Sequence, residues 1–301
     1  MIVRLSLAAL FVIPAAMAYP WQTTFDRWLL GAAVAVVVIL FAWWRGLFVT
    51  TLVARRIRLL TRRGRSADDG DAGEFATVAL RVEQGQADLP LALAADHLDR
   101  YGIAFDKVRV TSREAAGHRT TWVSLTLGAA SNIAALTARS PQIPLQDTVQ
   151  VAARRLADHL RERGWEVTID DAPGPLPGDG GKETWRGVVD GHGHLAAYRV
   201  RVDERLTETL AAAGSAGTEF WSAVEFTGSR TSPEIAASCA LRTTDRPPAI
   251  AGLTAERGLH RSALDALGPT SHRRLLAPPV PATPELVAQL RLPVGAILSR
   301  T

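Results

Sequence analysis

The chain has 301 residues, 47% of them apolar and 21% charged, which supports a large core and excludes a wholly disordered polypeptide. Its one cysteine, Cys239, excludes a disulfide framework and any site built from several thiolates. The net charge of +4 is unevenly placed: residues 1–65 carry +8, from nine arginines against Asp26 alone, and the rest carries −4. A mildly acidic body behind a basic N-terminal segment speaks against nucleic-acid binding by that body.

The first elements are apolar. Leu29 to Trp44 contains no charged residue, and after Arg45 an uncharged stretch resumes as far as Ala54. About 20 residues at 1.5 Å each cross a hydrocarbon core of about 30 Å. The pattern predicts a transmembrane helix over about 28–48, with Arg45 snorkelling to the headgroups and Trp28, Trp43 and Trp44 in the interfacial belts. Leu5 to Tyr19, with Pro14 inside it, reads as a first span over about 2–21. A cleaved leader is the alternative for that run, because Ala16-Met17-Ala18 suits a signal-peptidase site. Residues 1–54 are thus expected to form a two-helix transmembrane hairpin. Gly31, Ala32, Ala33 and Ala35 give its second helix a small-residue surface for helix packing.

An arginine-rich juxtamembrane segment and linker follow, over 55–73. Arg45, Arg55, Arg56, Arg58, Arg62, Arg63 and Arg65 outweigh Arg27, the one basic residue between the spans. Under the positive-inside rule both termini and the body are cytoplasmic, at an inner membrane whose anionic lipids the arginines contact.

The body reads as α+β in two lobes, 74–171 and 183–276, with a Pro-rich tail over 277–301. Val78, Leu80 and Val82 alternate as a strand face. Leu91, Ala95, Leu98 and Tyr101 are spaced as one helix face, stopped by Gly102. Val108 and Val110, then Val123, Leu125 and Leu127, give two more strands. Ser131 is placed to cap a short helix holding Ile133 and Leu136. A longer helix starts near Asp147 and presents Val149, Ala152, Leu156 and Leu160 on one face; a strand through Trp165, Val167 and Ile169 follows it.

A breaker-rich stretch, Ala172 to Lys182, then reads as a linker between the lobes. Trp185–Val189 and Leu195–Val202 flank Asp190-Gly191-His192-Gly193 as a hairpin. A short helix near Glu204–Ala212 precedes strands at Phe220–Phe226 and Ile235–Leu241, the second of which carries Cys239 on its core face.

Chemistry is sparse. Gly178-Asp179-Gly180-Gly181-Lys182-Glu183 fails as a phosphate loop, since Leu176 stands where a glycine is needed and Glu183 where a hydroxyl is needed. His192 and His194 could chelate a metal from one strand face, but nothing nearby completes a four-ligand set, and turn residues are the simpler reading. His97 and His159 fall on polar helix sides, His118 lacks a nucleophile to serve, and Asp170–Asp171 sits at an element end. No catalytic, cofactor-binding or metal-binding residues are assigned.

Three blocks carry a resemblance: LPLALAADHLDRYGIAFDKVRVTSRE from Leu89, HRTTWVSLTLGAASNIAALTARS from His118, and TVQVAARRLADHLRERGWEV from Thr148. With the apolar N-terminus and its arginine-rich exit, they resemble EccE, a membrane component of the mycobacterial type VII (ESX) secretion system. The general likeness leans toward the third of these systems, which is linked to iron and zinc acquisition. The resemblance implies a non-enzymatic subunit that assembles with EccB, EccC and EccD, EccC being the ATPase. A membrane-tethered enzyme or carbohydrate-binding module, with its site between the lobes, is the alternative function.

Overall fold

The computed structural model describes residues 43–44, 47–48, 74–84, 88–140, 144–174, 178, 180–245 and 247–295. The chain divides into two units, 1–65 and 66–301. In the first, strands β1 (Trp43–Trp44) and β2 (Leu47–Phe48) pair antiparallel, with Trp43 opposite Phe48 and Trp44 opposite Leu47. A helix over 28–48 would satisfy these backbone groups along the chain, whereas here they bond across it. Among the described residues no helix is long and apolar enough to cross a membrane. The expected fold class, a two-helix transmembrane hairpin ahead of an α+β domain, is therefore overturned; what is described is mostly a β-sheet domain. The other residues of the two expected spans lie outside the described residues. So do Arg45, Arg55, Arg56, Arg58, Arg62, Arg63 and Arg65, and Gly31, Ala32, Ala33 and Ala35.

The second unit opens with β3 (Phe75–Gln84), β4 (Leu89–Pro90), α1 (Leu91–Ala95), β5 (Asp99–Arg100), β6 (Ile103–Ala115) and β7 (His118–Gly128). Helices α2 (Ala129–Thr137) and α3 (Leu145–Glu162) lead to β8 (Glu166–Asp170). Next come β9 (Lys182–Glu183), β10 (Val188–Asp190), β11 (Gly193–Val200), α4 (Leu206–Gly214), β12 (Glu219–Ser229) and β13 (Ser232–Thr243). The chain continues through β14 (Leu253–Ala255), α5 (His260–Leu267), β15 (Val280–Pro281), α6 (Pro284–Gln289) and β16 (Arg291–Leu292).

One antiparallel sheet organises these elements, in the order β8-β3-β7-β6-β12-β13-β11-β10-β9, with β5, β14 and β15 on β6, β11 and β13. Its seam is β6 against β12, in register from Val108 opposite Phe226 to Ala115 opposite Glu219. The two expected lobes are thus halves of a single sheet. Strand order is symmetric about the seam, β3-β7-β6 on one side and β11-β13-β12 on the other. Two hairpins close on two-residue loops, Tyr101-Gly102 and Ala116-Gly117, with both residues of each at positive φ. That is the backbone of a type I′ turn, whose twist matches the strands it joins.

Alternation along the strands builds two apolar faces. On the larger, Val78, Leu80, Val110, Val123, Leu125, Phe226, Ile235, Ala237, Cys239 and Leu241 are buried with the α3 stripe of Val149, Ala152, Leu156 and Leu160. Each such leucine contributes about 1.5–3 kcal/mol when fully buried. On the other face Ala79, Trp122, Trp221, Ala223, Ala236 and Ala240 are buried with Leu264 and Leu267 of α5 and with Leu275. Alanines on this face let α5 sit close to the sheet.

Several local expectations change. The helix from Leu91 stops at Ala95, and Tyr101 lies in the hairpin loop instead. Helix α2 buries Leu136 but exposes Ile133, and Ser131 bonds back to the Gly128 carbonyl rather than capping. The glycine-rich stretch before β9 is partly packed: Gly178 and Gly181 are buried, and the Gly181 carbonyl accepts from Arg261. Residues beyond 277 return to the body, where Ala282, Val287, Leu290 and Leu292 are buried and β16 pairs with β4.

The β10–β11 hairpin closes as Asp190 opposite Gly193, and Gly193 has a φ of +117°. A Cβ there would lie 2.5 Å from the Thr243 carbonyl oxygen, which belongs to the partner strand β13. Gly193→Ala is expected to lower stability by about 1–3 kcal/mol. Gly191→Ala, where a Cβ meets nothing within 4 Å, is expected to change it by less than about 0.5 kcal/mol. Urea unfolding of the two variants checks the contrast.

Candidate functional site

The most concentrated chemistry lies at the seam, beneath α5. Arg109 on β6 stands opposite Glu225 on β12, and Arg109, Glu225 and Lys107 are each no more than 2% exposed. Arg109 Nε donates to Glu225 Oε2 at 2.9 Å, and its Nη2 donates to the same oxygen at 2.5 Å. The rest of the guanidinium donates to the carbonyls of Ala266, Gly268 and Arg273. Lys107 Nζ donates to Ser271 O at 2.9 Å and to Arg273 O, and lies 3.9 Å from Glu225 Oε2. Glu225 Oε1 accepts from Leu275 N at 3.2 Å, and Ser124 Oγ donates to Pro269 O at 2.6 Å.

These contacts have one physical purpose. After α5 the chain runs over the sheet from Gly268 to Leu275 without regular structure, so its buried carbonyls need partners from elsewhere. The sheet supplies them as side-chain donors, the Arg109 guanidinium and the Lys107 amine, and Glu225 balances the guanidinium charge while holding the Leu275 amide. Burial pushes the Lys107 amine down to about 6, with the neighbouring Arg109 charge adding to the effect.

A second network continues along the same face. Trp122 and Trp221 stack with centroids 6.1 Å apart and planes 5° from parallel. They meet diagonally across Thr111, which is paired with Trp122 on one side and Ala223 on the other. Trp122 Nε1 donates to Asp170 Oδ2 at 2.8 Å and Trp221 Nε1 to Glu219 Oε1 at 3.1 Å. Arg113 lies 5.2 Å from the Trp221 ring centre and pairs with Glu219 at 2.9 Å. Arg242 links Glu219, at 2.8 Å, to both oxygens of Asp190, at 2.7 and 2.8 Å. Burial pushes the Glu219 and Asp190 carboxyls up, but the hydrogen bonds and charge of Arg242, joined by Trp221 and Arg113 at Glu219 and by the His192 amide at Asp190, together hold both below their ordinary values.

The residues considered for chemistry are drawn into packing and turns. Asp190 Oδ1 accepts from the His192 amide at 2.8 Å, while His194 sits within β11, opposite Val189 and Thr243. Lys182 lies in β9, opposite Val189. His97 is buried rather than on a polar helix side, with Nδ1 on Leu93 O at 2.7 Å. Cys239 is in the large core, where burial pushes its thiol far above the ordinary range and leaves it a poor nucleophile. Among the described residues no group of three or more His, Cys, Asp or Glu is arranged to hold a metal. Where the two halves of the sheet meet, β6 and β12 are hydrogen-bonded from Val108 opposite Phe226 to Ala115 opposite Glu219.

Arg109 and Glu225 were not singled out from the sequence. Both interrupt apolar strands, and that interruption is the one signal of a buried ionic role.

A single antiparallel sheet covered on both faces, with its buried ions engaged by the protein's own groups, defines a mostly β-sheet domain. Comparison with known proteins places it further. Residues 115–200, from the end of β6 through β11, match the family profile described as "Putative type VII ESX secretion system translocon, EccE". The chain is 52% identical over 290 residues to the ESX-3 secretion system protein EccE3 of Mycolicibacterium smegmatis, covering 94% of this chain and 93% of that protein. It is 48% identical over 288 residues to the protein of the same name from Mycobacterium tuberculosis, covering 90% and 86%. The chain belongs to the EccE family of type VII secretion proteins, as the three sequence blocks imply.

Removing one partner of a buried pair strands the other charge. Glu225→Ala is therefore expected to cost about 3–5 kcal/mol in urea unfolding. Lys107 supplies a pH dependence. Its amine binds a proton less readily when folded, so the unfolded chain holds more protons between about pH 6 and the ordinary lysine range near 10.5. Stability should then rise with pH across that window, and Lys107→Met should flatten the rise.

Proposed function

We propose that this chain is a non-enzymatic structural subunit of an ESX-3 secretion complex at the inner membrane, where it takes part in protein export. The observation that carries the reading is the likeness to EccE3 proteins over nearly the whole chain, at 48–52% identity. The structure is consistent with it, since the buried charged groups of the body are occupied in holding the fold. On this reading the subunit assembles with EccB, EccC and EccD. Through the third system it contributes to iron and zinc homeostasis.

The body faces the cytoplasm in this proposal, because the arginine-rich stretch ahead of it favours the anionic cytoplasmic leaflet. Arg45, Arg55, Arg56, Arg58, Arg62, Arg63 and Arg65 contact lipid headgroups, at about 1 kcal/mol for each basic residue near the surface.

Two measurements test these statements. Tagged full-length chain, purified in mild detergent from cells carrying the whole system, should bring EccB, EccC and EccD with it; isolation without them would overturn the assignment. Replacing Arg62, Arg63 and Arg65 by Gln should weaken binding of the full chain to anionic vesicles by about 3 kcal/mol at low salt. The difference should shrink as ionic strength rises.

A further inference from the structure

Between the end of α2 and the first half of α3 lies a surface cavity of about 260 Å³. Tyr101, Ile103, Pro144 and Val151 give it apolar walls, and Arg139 and Arg155 stand on its rim. Tyr101 is 42% exposed and Val151 45%, so two large apolar side chains at one place are left to solvent.

The aromatic is held there deliberately. Tyr101 occupies the first position of its hairpin loop with a φ of +59°, where Asn, Asp or Gly is the usual choice. Nothing in the turn itself calls for a bulky ring, and a non-glycine residue in this region costs about 1–3 kcal/mol. The ring is braced from outside: the Arg155 guanidinium lies 4.6 Å from its centre, and Arg139 Nη2 donates to the Tyr101 carbonyl at 3.3 Å. Arg139 Nη1 donates to Ala135 O at 2.7 Å. Among the described residues neither arginine forms an ion pair with a carboxylate, in contrast to Arg109, Arg113, Arg119 and Arg242. The one acid on the rim, Asp147, is in the first turn of α3, where the helix dipole already favours its charge.

We propose that this groove is the docking site for an acidic segment of a protein partner, which inserts one apolar side chain between Tyr101 and Val151 and sets its carboxylates on Arg139 and Arg155. Charge complementarity selects the occupant: two guanidinia that form no ion pair among the described residues flank an apolar hollow. Arginine and tyrosine are also the residue types that anchor protein interfaces. The hollow is smaller than the roughly 300–1,000 Å³ of small-molecule sites, and fits a single side chain better than a free ligand. That the partner is a protein rests on the reading of this chain as a secretion-complex subunit.

The test uses the full-length chain in cells that carry the whole secretion system, with a photo-crosslinking benzoylphenylalanine in place of Val151. The expected result is a light-dependent cross-link to a subunit of the complex, at a peptide in which Asp or Glu flank an apolar residue. Its yield should fall about tenfold with Arg139→Glu and Arg155→Glu together, and persist with Arg155→Lys. The same probe at the exposed Arg163, at the far end of α3, should not form it. Cross-links to lipid alone, no cross-link, or yields unmoved by charge reversal would overturn the groove as a docking site. If the chain still co-purifies with the complex in those cases, the subunit assignment stands and only the groove falls. If the unsubstituted chain does not co-purify, both fall.

Discussion

The body depends on one constraint: a stretch of irregular backbone, 268–275, is buried against the face of a sheet. Unbonded carbonyls in that position would each cost a lost hydrogen bond. Arg109 and Lys107 supply donors to them, and Glu225 keeps the Arg109 guanidinium from being stranded without counter-charge. The Arg109–Glu225 pair also bridges β6 and β12, the two strands that join the halves of the sheet. Through these contacts the cover over the α5 face and the seam beneath it hold one another in place.

That arrangement shapes what the protein can do. Buried ions engaged by backbone are poor candidates for chemistry, because a substrate would have to displace the fold to reach them. The stacked Trp122 and Trp221, with Asp170 of β8 and Glu219 of β12 on their indole nitrogens, extend the same covered surface from the outer strand β8 to the seam. Opportunity for recognition therefore moves to the perimeter. The larger face is covered by α3 and α4, and one open hollow lies where α2 meets α3 beside the β5–β6 loop.

Within the body, strands were legible wherever apolar residues alternate on one side of a polar or small partner set. Val78, Leu80 and Val82, and likewise Ile235, Ala237, Cys239 and Leu241, face the larger core as the alternation requires. Helix α3 was legible for the same reason, since its apolar stripe repeats over four turns. The shorter pieces were not. The Leu91 helix has the spacing for a longer run, yet the chain turns at Asp96 because Tyr101-Gly102 closes a hairpin onto β6. The apolar N-terminal run misled through composition, since hydropathy measures how well a segment tolerates an apolar setting and carries no information on whether its backbone pairs along or across the chain.

Sequence alone determined the family, the longer strands and the long helix α3 of the body, the core side of Cys239 and the separation of a basic segment from an acidic body. Each of these is written in local spacing or in composition. Only the tertiary structure decided that the two halves share one sheet, that Arg109 meets Glu225 across 116 positions of chain, and that Tyr101, Arg139 and Arg155 surround one hollow. Those facts depend on which strand edges meet and which loop crosses which face. Backbone pairing is chemically the same for any two strands, so local residue patterns cannot specify the partner. The choice is made by the packed whole, where burying the covering segment requires the cations that only this pairing brings beneath it.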